Sequence, residues 1–261
     1  MRKFELTTDA KMFLGRKLFR IKALISFGNV RAGDMGGYIE KEGNLSQSGN
    51  AWVSGNAKVF GNAWVFGDAR VSGNARVSGN AWVFGDARVF GNAEVFGDAR
   101  VFGNAEVFGD ARVSGNAWVF GDARVSGNAR VSGNAWVFGD AWVSGNARVS
   151  GNAEVSGNAR VFGDARVFGD ARVFGDARVF GDAEVSGGAD YATASGFGSE
   201  YRTTTFFKLK DSNEIGVRCG CFYGTLKEFR AKVKETHGES KKAKEYLMLA
   251  DLMEYRFLEE K

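Results

Sequence analysis

One histidine, two cysteines and a recurring set of carboxylates are the side chains to weigh first for acid–base or metal chemistry in this chain. His237 stands directly before Gly238, at the end of a segment with helical patterning. That position reads as a surface helix end, not as a general base held against a substrate. Cys219 and Cys221 enclose a single glycine. Two thiolates and one imidazole fall short of a four-ligand zinc site, and the C-x-C spacing is not one such sites use. The cysteines are read as small buried thiols, and two of them build no disulfide framework. Asp and Glu recur from Gly49 to Ser186, so none is singled out as an acid or a base. The Asp residues alternate irregularly with Asn and are accompanied by Arg, which does not fit a calcium site. Phosphate loops and catalytic triads are absent from the sequence. The sequence therefore predicts no catalytic residue, no metal and no cofactor. What remains is non-covalent chemistry: rings and guanidinium groups at fixed spacing.

The spacing comes from twenty-three consecutive hexads without insertion, Gly49 through Ser186, each reading G-[N/D]-A-x-V-[S/F]. A short strict period means one small unit stacked on copies of itself. Within A-x-V, period-2 alternation sends Ala and Val to one side and x to the other. The Gly-[N/D] pair reads as a turn, since both residue types tolerate left-handed backbone angles. Three strands and three turns make a triangular coil of 18 residues, and the hexads supply about 7.7 coils. At the usual strand spacing the rod is roughly 35–40 Å long.

The hexads GNAWVF and GDARVS resemble the hexapeptide-repeat left-handed parallel β-helix family, in which an aliphatic residue is followed four positions later by a small one, as Val53 is by Ala57. The left hand is implied by this resemblance; the period alone does not give it. Enzymes of that family are often acyltransferases with a histidine base, and no hexad here holds one. GDMGGYIEKEGNLSQSGNAWV (Gly33–Val53) and IGVRCGCFYGTLKEFRAKVKETHG (Ile215–Gly238) resemble the ends of hexapeptide-repeat proteins of phages and prophages. That resemblance implies a phage or bacterial origin and brings no catalytic residue.

Residues 18 apart share a face. On the third face the outward column begins Trp64, Trp82, Arg100, Trp118 and Trp136. The position after Val reads Phe66, Phe84, Phe102, Phe120 and Phe138. This stripe has three readings: a self-stabilising ring ladder, a surface covered by the chain's own ends, or a self-association or partner site. A homodimer is the favoured form of the third. On the second face Arg112, Arg130, Arg148 and Arg166 form the longest cationic run. With Arg20 and Lys22 of the N-terminal segment they are the candidate contacts for anions or nucleic acid. Eight of the ten G-D hexads carry Arg two residues after the Asp, which reads as local charge balance. The solenoid is then near neutral and lacks the broad footprint of a duplex-binding protein.

The parts read as an N-terminal capping segment (1–48), the solenoid (49–188), a linker or last partial coil (189–199), and a C-terminal α+β domain (200–261). Capping is required because terminal coils expose core and strand edges. In the N-terminal segment, Phe4–Leu6 and Leu18–Leu24 are predicted strands, with Phe19, Ile21 and Ala23 on one side and Arg20 and Lys22 on the other. In the C-terminal part, Phe206–Lys210 and Ile215–Cys219 flank an Asp211-Ser212-Asn213 turn. Thr225-x-x-Glu228 opens a helix that Gly238 ends, and Ser240 caps a second, giving the order ββαα. The first residues lack a continuous apolar run and nothing approaches transmembrane length, so the predicted compartment is the cytoplasm. The functional expectation is a non-enzymatic scaffold that self-associates and binds a bacterial host or defence protein, with inhibition as one outcome of that binding. A structural rod and a nucleic-acid binder are the alternatives.

Overall fold

The computed structural model describes residues 2–197, 203–209 and 214–258. It is a parallel β-solenoid with an 18-residue coil, closed at one end by a three-stranded β segment and at the other by an α+β domain. Each hexad contributes a two-residue strand, and these align in three sheets. Trp52 pairs with Arg70 on the first face, Lys58 with Arg76 on the second, and Trp64 with Trp82 on the third. Every Ala and Val from Ala51 to Val185 is buried. Burying each Val side chain contributes roughly 1.5–3 kcal/mol before entropy is counted.

The corners correct one expectation. Both residues of each Gly-Asn or Gly-Asp pair lie in the turn, but only the glycines take the left-handed angle: Gly49 through Gly181 have φ between 63° and 74°, and the following Asn or Asp does not adopt positive φ. The glycines are also too crowded for a side chain. A Cβ on Gly97 would lie 2.9 Å from the nitrogen of Gly115 one coil on. Asn and Asp have a different role. Their side chains form hydrogen-bonded ladders up the corners, as in Asn116 to Asn134, Asn134 to Asn152 and Asn152 to Asp170, each at 2.9–3.0 Å. An Asn both donates and accepts, whereas a carboxylate only accepts. The ladders accordingly end on Asp: Asn62–Asn80–Asp98, Asn74–Asn92–Asp110 and Asn128–Asn146–Asp164 follow the same rule.

Backbone bonds between coils at the outward, post-Val and Asn/Asp positions run one way. Trp82 N donates to Ala99 O at 2.9 Å, Phe84 N to Val101 O at 3.0 Å and Asn80 N to Gly97 O at 2.8 Å. The first coil is thereby left with carbonyls and the last with amides, and buried orphans of either kind are costly. Each end supplies the matching group. At the N-terminal end Lys3, only 1% exposed, points its ammonium at the carbonyls of Ser48, Gly49 and Ala51. Burial, with the nearby Arg70 cation, pushes this lysine down to about 8 despite the opposing pull of Asp68. The Asn44 amide donates to Gly61 O and Ala63 O. At the C-terminal end the groups are acceptors. Asp190 accepts from the Ser186 and Gly187 amides, and the Thr205 hydroxyl oxygen accepts from Arg178 N.

The N-terminal segment forms β1 (Phe4–Phe13), β2 (Arg16–Ala23) and β3 (Met35–Ile39). Both strands of the hairpin are longer than the sequence predicts, and β3 was not predicted. β3 pairs in parallel with Lys58–Val59, so the cap continues the second-face sheet. Leu18, Ile21 and Ala23 are the buried side chains of β2, not Phe19, because the register shifts between Arg20 and Lys22. Among the described residues Leu14, at the hairpin tip, is the one non-glycine with positive φ, at 49°.

The C-terminal order is ββββαα, not ββαα. Tyr191–Ala194, read from sequence as part of a linker, pairs with Thr204–Lys208, which pairs with Ile215–Cys219, which pairs with Phe222–Thr225. Ser199 and the Asp211-Ser212-Asn213 turn lie outside the described residues. Alternation along Thr204–Lys208 joins the two cores: Phe207 packs against the solenoid interior and Phe206 against the helices. Helix α1 (Leu226–His237) begins and ends as its capping residues dictate, and α2 (Lys241–Leu258) begins so. Thr225 and Glu228 form the capping box, Gly238 closes α1, and the Ser240 hydroxyl accepts from Ala243 N. Among the described residues no helix is long and apolar enough to cross a membrane.

Candidate functional site

The third face carries the densest ring surface of the molecule. Its sheet is seven strands of x-V pairs in strict register, so the outward column and the post-Val column each stack at one-coil spacing. Phe66, Phe84, Phe102, Phe120 and Phe138 form a continuous parallel stack, with centroids 4.8–4.9 Å apart and planes within 5°. The neighbouring column holds Trp64 and Trp82 edge to face at 5.9 Å, and Trp118 and Trp136 parallel at 5.4 Å. Arg100 fills the place between them, its guanidinium 5.0 Å from the Trp82 ring and 4.9 Å from the Trp118 ring. A cation between two ring faces is attracted to both, so the column is unbroken over five coils.

The rings of the stripe stack as a ladder, and among the described residues neither end of the chain lies over it. Trp64, Trp82 and Trp136 are 37–40% exposed, with Trp118 and the five Phe half-buried. By contrast, Trp52 on the first face lies under the N-terminal segment, edge to face with Phe27 at 5.5 Å. Trp142 is held by the Ser126 hydroxyl, to which its indole N–H donates at 3.0 Å. Stacked rings of this kind present edges outward, an apolar comb with almost no charge.

The cationic run is less free than its spacing implies. Glu94 takes Arg76 at 3.0 Å and Arg112 at 3.4 Å, so the first residue of the run is ion-paired. Glu106 is held in the same way between Arg88 and Arg124, and Glu154 by Arg172. Direct ion pairs along these columns thus run to Glu of the adjacent coil. Arg130, Arg148 and Arg166 continue the column beyond Arg112. Arg20 stands on the same outward column, in register through Tyr38, Lys58, Arg76 and Glu94, but its side chain is engaged locally. It donates to the Gly36 carbonyl, pairs with Asp9 and lies against Tyr38. Lys22 pairs in register with Glu5 on one side and Met35 on the other.

A second feature was not read from the sequence. Cys219, Cys221 and His237 border one cavity of about 260 Å³, with Phe222, Phe229, Val233 and Tyr246 as its apolar walls. The Thr204 hydroxyl donates to Cys219 Sγ at 3.2 Å, and the His237 ring stacks on Tyr246. The buried-thiol expectation holds in part: Cys219 is half-buried, but Cys221 follows Gly220 in the tight turn and is exposed. Among the described residues no group of three or more His, Cys, Asp or Glu is arranged to hold a metal.

The family described as YdcK Beta solenoid repeat matches residues 69–85, 123–139 and 141–157. All three stretches lie in the solenoid, and each is just short of one coil. The match and the fold agree on a repeat β-helix protein. No curated protein matches the chain.

Proposed function

We propose that this chain is a non-enzymatic interaction protein whose solenoid is a rigid platform and whose third face is a docking surface for a second copy of itself. The observation that carries this reading is the five-coil comb of Trp and Phe edges from Trp64 to Phe138. It is regular, nearly uncharged and left open by the chain's own caps. Exposed apolar patches of this extent mark contact sites. Both ends of the rod are occupied by capping groups, which favours side-by-side pairing over end-to-end growth.

The C-terminal domain, with its varied surface and its cavity beside Tyr246, is the part suited to a different partner. The resemblance of the flanking segments to phage and prophage proteins supports a partner among the proteins of a bacterial host. The test of the platform reading is mass in solution by light scattering, on the wild type and on a variant with Trp64, Trp82, Trp118 and Trp136 changed to Ser. A two-chain mass that falls to a folded one-chain mass is the expected result. A wild type that stays monomeric at every concentration overturns it.

A further inference from the structure

We infer that the second copy docks antiparallel, third face against third face, with the two-fold axis at the level of Arg100. This rests on the self-association reading above and adds its geometry. The five hexads of the aromatic block read the same from either end. Gly61–Phe66 and Gly79–Phe84 are GNAWVF, Gly97–Phe102 is GDARVF, and Gly115–Phe120 and Gly133–Phe138 are GNAWVF again. Coil register stacks them directly above one another.

In an isologous contact, residue i meets j and j meets i. An axis lying in the interface along the strand direction reverses the order of coils and leaves each column opposite itself. Centred on Arg100, it sets Trp64 against Trp136, Trp82 against Trp118, and the Phe column against its own copy. A parallel pair, with its axis along the rod, lays the Trp column on the Phe column and makes no use of the symmetry.

On the corner that precedes the Trp column, charge obeys the same axis. Asp98 and Arg100 are two residues apart on the central coil. Two copies bring two carboxylates and two guanidinium groups together there, each Arg100 within a side chain's reach of Asp98 of the other copy. Three coils toward the C-terminus stands Glu154, a carboxylate on the same column. Three coils toward the N-terminus the ladder place before Asn62 is taken by Lys41, whose ammonium donates to Asn62 Oδ1 at 3.1 Å. The operation that matches Trp64 with Trp136 also brings Asn152 of the corner column opposite Lys41, with the Glu154 carboxylate two residues from it. A slip of one coil in one direction sets Glu154 on Trp64 instead, a charge against a ring edge in a drying interface. Opposite charges across a contact fix register more than they add affinity.

The test places single nitroxide labels on full-length protein with Cys219 and Cys221 changed to Ser. One label replaces Asn80 and another Asp170, both on the corner column beside the third face, one and four coils from the axis. Light scattering establishes the mass of each labelled protein, and pulsed electron resonance measures the label separation within the dimer. Antiparallel pairing about Arg100 separates the Asp170 labels by eight coil spacings along the rod and the Asn80 labels by two. The first distance should exceed the second by roughly 20–30 Å at the usual strand spacing. Equal distances at the two sites mean a parallel pair and overturn this inference, while self-association stands. A wild type without a dimer overturns both.

Discussion

The guanidinium of Arg100 lies 4.9 Å from the ring of Trp118, and the same group lies 5.0 Å from Trp82 on its other side. A charged side chain thus serves as the fifth ring of a ring column. It spaces the two Trp pairs and keeps the column dry without adding a free charge to the face. Changing Arg100 to Ala removes both contacts and opens a gap between Trp82 and Trp118. At about 0.5–1 kcal/mol for each exposed cation–ring contact, the loss should be roughly 1–2 kcal/mol in urea unfolding. A variant as stable as the wild type would mean that the two rings close the gap by themselves.

Asn134 both accepts from Asn116 and donates to Asn152, and the ladder ends at Asp170. Asn134→Asp deletes the donor and turns a carboxylate toward the Asn152 carbonyl oxygen. It should cost about 1 kcal/mol, the net worth of one hydrogen bond. Asp170→Asn keeps the acceptor that Asn152 needs and should change stability by no more than a few tenths of a kcal/mol. Equal losses for the two would show that the order of Asn and Asp along a corner has no energetic meaning.

The coil was legible because every hexad repeats one instruction: Gly97 turns, Ala99 and Val101 go in, Arg100 goes out. A period of 18 then sorts the columns with no further information, and the aromatic stripe follows. The caps were not legible in the same way. Lys3 reaches Ser48, Gly49 and Ala51, more than forty residues on, and nothing local marks it as a carbonyl donor. Tyr191–Ala194 passed for a linker because its partner strand, Thr204–Lys208, comes later and its pattern is weak. The cavity by Cys219 was hidden for a similar reason. His237 ends α1 and Tyr246 belongs to α2, and only helix packing brings them to the same wall.

Leu14 holds φ at 49° at the tip of the β1–β2 hairpin while its side chain is 74% exposed. A left-handed backbone disfavours a leucine, and little packing compensates. Asn tolerates this region and is favoured before Gly in two-residue turns. Leu14→Asn should stabilise the N-terminal cap by about 1 kcal/mol. The readout is slower amide exchange in β1 and β2; unchanged or faster exchange would show that Leu14 packs on something in solution.

Gly97 and Gly175 separate two costs that the repeat combines. Both have positive φ, at 74° and 66°, but a Cβ at Gly97 meets the Gly115 backbone whereas at Gly175 it meets nothing within 4 Å. Gly175→Ala should carry only the left-handed penalty of about 1–2 kcal/mol. Gly97→Ala adds a backbone clash in the middle of the stack, so its loss should be larger by at least about 1 kcal/mol. If thermal unfolding ranks them the other way, coil spacing at the corners is softer than the structure implies.

The two ends of the rod should titrate in the same direction but in separate pH windows, because the capping group at each end has a lowered folded-state value. Burial pushes the Asp190 carboxyl up, but the Lys208 ammonium and the Ser186 hydroxyl and amide outweigh it and hold it at about 2. A carboxylate with a depressed folded-state value contributes stability that is complete above its unfolded value and is lost as pH falls toward the folded one. The C-terminal cap should therefore weaken between about pH 4 and pH 2. Asp190→Asn should remove much of that acid limb and lose about 2 kcal/mol at neutral pH, the scale of hydrogen bonds to a charged group. Lys3 acts with the same sign in a more alkaline window, although there it is the neutral form that folding favours. Its folded-state value is lowered, so between about 8 and the ordinary lysine range the unfolded chain binds more protons and stability rises with pH. Lys3→Met abolishes that rise and leaves the carbonyls of Ser48, Gly49 and Ala51 without their donor. Unfolding free energies measured from pH 2 to pH 10.5 on the wild type and both variants separate the two ends. A wild-type curve that falls steadily above pH 8 would mean that the charge on Lys3, and not merely its hydrogen atoms, holds the first coil closed.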